Sequence, residues 1–171
     1  RHPVRSGLYG VGSPVLFPDD QYGIPQSEVT LAEMLKGAGY RTAIMGKWHL
    51  GDAPEHFPTR HGFDYWFGIP YSNDMKFEGR PGIEELFVMQ QTGKTEALHK
   101  IFNDFLIAFE DPLWSNYNVP LWRSRCDNNG CQDELLEQPT FQPNLTTRLT
   151  HEATQFIEEA EEEPFLLYLP Y

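Results

Sequence analysis

Gly39-Tyr40-Arg41-Thr42-Ala43-Ile44-Met45-Gly46-Lys47-Trp48-His49-Leu50-Gly51 is the stretch whose reading decides the fold of this chain. Tyr40 to Met45 are mostly apolar or β-branched, which predicts a strand buried in a sheet. Just upstream, Thr30 and Glu33 have capping-box spacing, Leu31, Met34 and Leu35 give an apolar face, and Gly37 and Gly39 supply a left-handed stop. A helix is therefore predicted over about 31–37. Helix, short loop and buried strand in this order belong to α/β folds, whose ligands gather beyond the carboxyl ends of the strands. Lys47 and His49 fall at that place. If the backbone stays extended, these two side chains point the same way and Trp48 the other.

Downstream, Leu149, Ala153, Phe156, Ile157 and Ala160 share one helical face over about 147–161, and Phe165 to Leu169 read as a strand, so the helix-strand unit recurs. The acidic run Glu158, Glu159, Glu161, Glu162 and Glu163 reads as a solvated surface. Between the two units, 54–75 is aromatic and turn-rich and is expected to be a loop packed over the sheet edge. Leu98, Ile101, Phe102, Phe105, Leu106 and Phe109 make a helical stripe over about 94–109. Residues 1–28, rich in Gly and Pro, read as loop with short extended pieces such as Pro14-Val15-Leu16-Phe17.

A chain of 171 residues with 40% hydrophobic and 14% aromatic residues can bury a sizeable core. The formal net charge of −12 repels phosphate backbones, so nucleic acid is not an expected partner. An anionic substrate would need a local cationic pocket set into an acidic exterior. No apolar run reaches the roughly 20 residues of a membrane span. The opening Arg1-His2-Pro3 and the apolar strand-like ending at Tyr171 are those expected of an internal piece cut at both ends. Cys126 and Cys131 flank Asp127-Asn128-Asn129-Gly130, a tight turn that can bring the two sulfurs together. A disulfide is favoured, two free thiols remain the alternative, and zinc lacks further ligands. Asn144-Leu145-Thr146 is an N-glycosylation sequon. Together these lean toward a lysosomal or extracellular setting.

The opening stretch closely resembles the second signature of the sulfatase family, Gly-Tyr-x-Thr-x-x-x-Gly-Lys-Trp-His-Leu-Gly. Arg1-His2-Pro3-Val4-Arg5-Ser6-Gly7 is similar to the segment that begins at the last Arg of the first signature. His61-Gly62-Phe63-Asp64 and Phe67-Gly68-Ile69-Pro70-Tyr71-Ser72 resemble the loop after the second, in its arylsulfatase A-like form. Pro164-Phe165-Leu166-Leu167-Tyr168 resembles the strand leading to a substrate loop. The resemblance implies an alkaline-phosphatase-like sandwich, a mixed sheet with flanking helices, of which residues 1–171 form an internal part incomplete at both ends. The stretch 76–124 departs from the family and looks like a variable insertion that shapes a pocket mouth.

The resemblance further implies a formylglycine nucleophile, installed by a formylglycine-generating enzyme and hydrated to a diol that attacks the sulfur of a sulfate ester. It implies calcium as cofactor, with metal ligands and nucleophile all outside this chain, so that these residues alone hydrolyse nothing. Lys47 would stabilise negative charge, His49 would take the proton of the second diol hydroxyl so that sulfate is expelled and the aldehyde regenerated, Ser72 would bind substrate, and Arg1 would support the nucleophile loop. By residue type alone, a Lys at a strand end is usually a solvated charge and a lone His a structural one; the motif is what raises them to site residues. Pro18-Asp19-Asp20 imitates the family's calcium aspartates but lies on the wrong side of Arg1 and reads as a turn. Thr92-Gly93-Lys94-Thr95 imitates a phosphate loop without its earlier Gly and reads as a helix start. Two rivals share these features: a phosphodiester or phosphonate hydrolase of the same architecture, and a secreted glycoprotein without catalysis.

Overall fold

Thr30 begins the first helix as its sequence requires, in a computed structural model that describes residues 3–8, 15–76, 88–101 and 117–171. In α1 (Leu31–Gly37) the Thr30 hydroxyl accepts from the Glu33 amide at 3.1 Å, and the Glu33 carboxylate accepts from the Thr30 amide at 2.6 Å. The two groups satisfy each other's orphan positions at the helix start. Gly39, with φ 86°, provides the left-handed stop. The expected apolar face is wrong: Leu31 and Met34 are 62% and 65% exposed, and Ala32 is the buried residue. A small residue is needed there because α1 lies directly on Gly62, where any Cβ would strike the backbone of Ala32 and Glu33.

β1 (Arg41–Met45) forms where the apolar and β-branched run predicts it, and Thr42 to Met45 are wholly buried. Ala43 and Met45 face one apolar layer, Ile44 the other. The 54–75 stretch is not merely a loop over an edge. It contains β2 (Tyr65–Gly68), which lies parallel to β1 in the middle of the sheet with Ala43 opposite Tyr65 and Met45 opposite Phe67. Its aromatic residues alternate as a strand's must, Tyr65 and Phe67 to one layer and Trp66 to the other. The preceding His61-Gly62-Phe63-Asp64 is a structural knot: His61 C=O accepts from the Thr30 hydroxyl at 2.7 Å, and Asp64 accepts from the Thr42 amide at 2.9 Å.

β3 (Leu121–Asp127) and β4 (Gly130–Glu137) form an antiparallel hairpin beyond β2, and β5 (Phe165–Tyr168) pairs in parallel with β1 on the other side. The sheet order is β4-β3-β2-β1-β5, a mixed sheet. Because β3 starts at Leu121 and Tyr117, Val119 and Leu121 are buried in the core, the last residues of the 76–124 stretch belong to the framework. α2 (Leu145–Ala160) covers one face through Leu149, Ala153, Phe156 and Ala160, while Ile157 is turned outward at 47% exposure. The other face is covered by α1 and by Phe57, Phe63 and Trp48. Residues 95–101 are helical within the expected 94–109 helix, and 102–109 lie outside the described residues.

Candidate active site

Beyond Met45 the chain does not leave the sheet. Gly46 N–H donates to Phe67 O at 3.0 Å, Lys47 N–H to Pro170 O at 2.9 Å, Trp48 N–H to Ile69 O at 3.0 Å and His49 N–H to Pro70 O at 2.8 Å. The segment is thus wedged between the continuations of β5 and β2. Only glycine fits at its start, since Gly46 has φ 131° and a Cβ there would run into the Pro170 carbonyl. Trp48 turns into the core, its indole N–H donating to His56 O at 2.7 Å and its ring lying 6.1 Å from that of Phe63.

Lys47 and His49 do converge, but not on extended backbone: His49 has φ 61°. Ser72, on the loop after β2, joins them. Lys47 Nζ donates to Ser72 Oγ at 3.3 Å, and Ser72 Oγ is 3.5 Å from His49 Nδ1. These are long contacts, of the kind that tighten when a substrate arrives. Burial holds the His49 imidazole below its ordinary pKa; the Lys47 charge adds to this, and the Leu16 carbonyl and Asp74 oppose it. The ring is therefore neutral near pH 7 and able to accept a proton. No carboxylate lies within ion-pair distance of Lys47 among the described residues. A cleft of about 260 Å³ opens beside Lys47 and Ser72, walled by Asn73, Gln142, Thr146 and Tyr171.

Asn73 and Gln142 clasp each other across this cleft, the Asn73 amide donating to Gln142 Oε1 at 3.1 Å and the Gln142 amide to Asn73 O at 2.7 Å. Nothing in the sequence marked Gln142, Thr146 or the Leu16 carbonyl as neighbours of Lys47 and His49, because they come from segments distant along the chain. A larger hollow of about 310 Å³ lies at the opposite end of β1, between Arg41, Asp64 and Arg125. Arg41 there is engaged by Glu159 and Glu163 and carries no open chemistry.

The remaining candidates lie away from Lys47. Cys126 and Cys131 are joined in a disulfide at the hairpin turn, toward the amino end of β2. Asn144 is exposed at the start of α2, and its side chain makes no cap hydrogen bond. Arg1 lies outside the described residues. No group of three or more His, Cys, Asp or Glu suited to a metal occurs among the described residues.

The Sulfatase family model matches residues 3–171. Arylsulfatase G of Homo sapiens is 37% identical over 153 residues, covering 86% of this chain and 25% of that protein. Steryl-sulfatase of Homo sapiens is 34% identical over 207 residues, covering all of this chain and 34% of that protein. Among solved structures, the PsFucS1 sulfatase from Pseudoalteromonas sp. superposes with a TM-score of 0.61 at 27% identity, over 99% of this chain and 31% of the other. The chain thus spans between a quarter and about a third of these relatives. Its mixed sheet and flanking helices correspond to part of the alkaline-phosphatase-like sandwich of such enzymes, and the chain belongs to the sulfatase family.

Proposed function

We propose that this chain supplies the charge-stabilising and proton-transfer groups of a hydrolase of sulfate esters. The observation that carries the reading is the convergence of Lys47, an ammonium without a carboxylate partner among the described residues, and His49, a half-buried neutral imidazole, on one serine hydroxyl. A cation and a neutral base side by side suit a tetrahedral anion and an oxygen nucleophile. A formylglycine, made by a formylglycine-generating enzyme on a segment outside the described residues, would supply that nucleophilic oxygen. Lys47 binds the developing negative charge as a point charge on a flexible stem. His49 takes up a proton at its ring, and Ser72 donates to a sulfate oxygen.

The calcium that the family resemblance implies would be held by ligands outside this chain, as would the nucleophile. Asp19 and Asp20, which imitate metal-binding aspartates, already spend their carboxylates on Lys76 and on the Phe17 amide. Any calcium of the complete enzyme would be held elsewhere. The same reasoning makes residues 1–171 inactive by themselves. A lysosomal or extracellular setting is supported by the disulfide and by the exposure of Asn144 in its sequon.

Lys47→Ala in the full-length protein carrying this chain is expected to lower kcat/KM on an aryl sulfate by about 10²–10³, the usual cost of one transition-state donor. Unchanged kcat/KM would sink the reading. For the isolated 171 residues, turnover above their own Lys47→Ala control would sink the claim that they are inactive alone.

A further inference from the structure

The left-handed backbone of His49, φ 61°, is a conformation that a non-glycine residue keeps only where its surroundings over-determine it. One such constraint is its amide bond to Pro70 O. The other acts on the ring: Nε2 sits 3.1 Å from the main-chain oxygen of Leu16, whose side chain is buried. A carbonyl can only accept, so Nε2 carries the hydrogen of the neutral ring, and the lone pair is left on Nδ1, which faces Ser72.

The Leu16 carbonyl is held in turn. Phe17 N–H donates to Asp20 Oδ2 at 2.6 Å and Asp20 N–H to Phe17 O at 3.2 Å, closing a turn directly after Leu16. Asp19 N–H donates to Asp52 Oδ2 at 2.7 Å, and Lys76 Nζ donates to Asp19 Oδ1 at 2.7 Å. Asp52 lies just beyond His49 in the chain and Lys76 just beyond Ser72. The turn is therefore buckled to both segments that bear the site.

We propose that Asp19, Asp52 and Lys76 form a positioning strap that presses the Leu16 carbonyl onto His49, fixing the Nε2–H tautomer and making Nδ1 the basic atom turned toward Ser72 and Lys47. The use made of Nδ1 rests on the hydrolase reading; the tautomer does not. The charges facing His49 are Lys47 from the end of β1 and Asp74 from the loop after β2. The carboxylates of the strap are taken up by Lys76, the Asp19 amide and the Phe17 amide. Burial lowers the His49 pKa most and the Leu16 contact works against it, so the tautomer, and not the titration midpoint, is what the strap controls.

The test is nitrogen NMR of the full chain labelled with 15N-histidine, using His49→Gln to assign the signal. In the wild type, Nε2 should show as the protonated nitrogen and Nδ1 as the bare one. In Asp52→Ala and in Lys76→Met the ring should become a mixture of tautomers. Nδ1–H in the wild type, or an unchanged tautomer in the folded variants, overturns the strap. Lys76→Met decides if Asp52→Ala fails to fold, because it removes only an ion pair near the surface. A full-length protein inert toward sulfate esters whose His49 still behaved this way would overturn the hydrolase reading and leave the strap standing.

Discussion

Around the first residue of β2 every charge has an answer: the Tyr65 hydroxyl donates to Glu152, Arg123 donates to the same carboxylate at 3.0 Å, and Arg125 lies 4.6 Å over the Tyr65 ring. Beyond the carboxyl end of β1, Lys47 meets only a hydroxyl among the described residues, and His49 gives one nitrogen to a main-chain oxygen and turns the other to the same hydroxyl. One sheet thus carries closed charge at one place and open charge at another. Closed networks hold a fold, because each group's lost hydration is made good by a partner. Open convergent groups contribute little to stability and stay available to a ligand.

The strongest way to break the contrast is to damage the open end through its backbone. Gly46→Ala sets a Cβ against the Pro170 carbonyl at φ 131°, so the β1 and β5 extensions must part. A loss of about 3 kcal/mol is expected from overpacking and backbone strain together. Because Lys47 and His49 follow directly, kcat/KM of the folded full-length protein should fall as well. Urea unfolding and an aryl sulfate assay read the two effects, and loss of stability with full activity would show that the wedge does not position the site.

Glu152→Ala probes the closed end. It removes the acceptor of the Tyr65 hydroxyl's proton and leaves Arg123, one-third exposed, with the Tyr65 oxygen at 3.3 Å and Glu134 at 3.5 Å. Breaking a fully buried pair costs about 3–5 kcal/mol, and this partial exposure reduces the expectation to about 2 kcal/mol. Activity per folded molecule should not change. A drop in kcat/KM at full occupancy of the folded state would mean that the two regions are coupled and that the contrast is false.

These two regions also differ in how much the sequence discloses. β1, α2 and β5 follow from apolar periodicity, and Lys47 and His49 from a motif long enough to be specific. β2 was hidden because Tyr65-Trp66-Phe67-Gly68 is only four residues long, set among Gly and Pro, without the aliphatic β-branched residues that signal a central strand. The β3–β4 hairpin was hidden by its charged residues, which pair across strands and against α2 instead of alternating with apolar ones. Its Asn-Asn-Gly turn pointed to the approach of Cys126 and Cys131, and the strands on either side went unread. The Leu16 contact to His49 is main-chain, so no side-chain pattern encodes it.

The smallest expected effect concerns pH and sharpens the open end. His61, wholly buried beneath Trp48 with both ring nitrogens unpartnered, has its pKa lowered chiefly by burial; Glu33 opposes the shift and His56 adds to it. His49 is lowered for the same main reason. A histidine whose folded pKa is depressed binds fewer protons folded than unfolded, so its stability is fully present above the unfolded value, about 6.5, and is lost as pH falls through the folded value. Melting temperature should therefore drop between about pH 7 and 5.5, a window above the ordinary carboxylate range. His61→Phe should flatten part of that drop, and adding His49→Gln should flatten more. If the double variant keeps the wild-type slope, the carboxyl end of β1 is not where the chain senses acid; Asp52 cannot take that role, because a carboxylate whose folded pKa burial raises gains stability as pH falls.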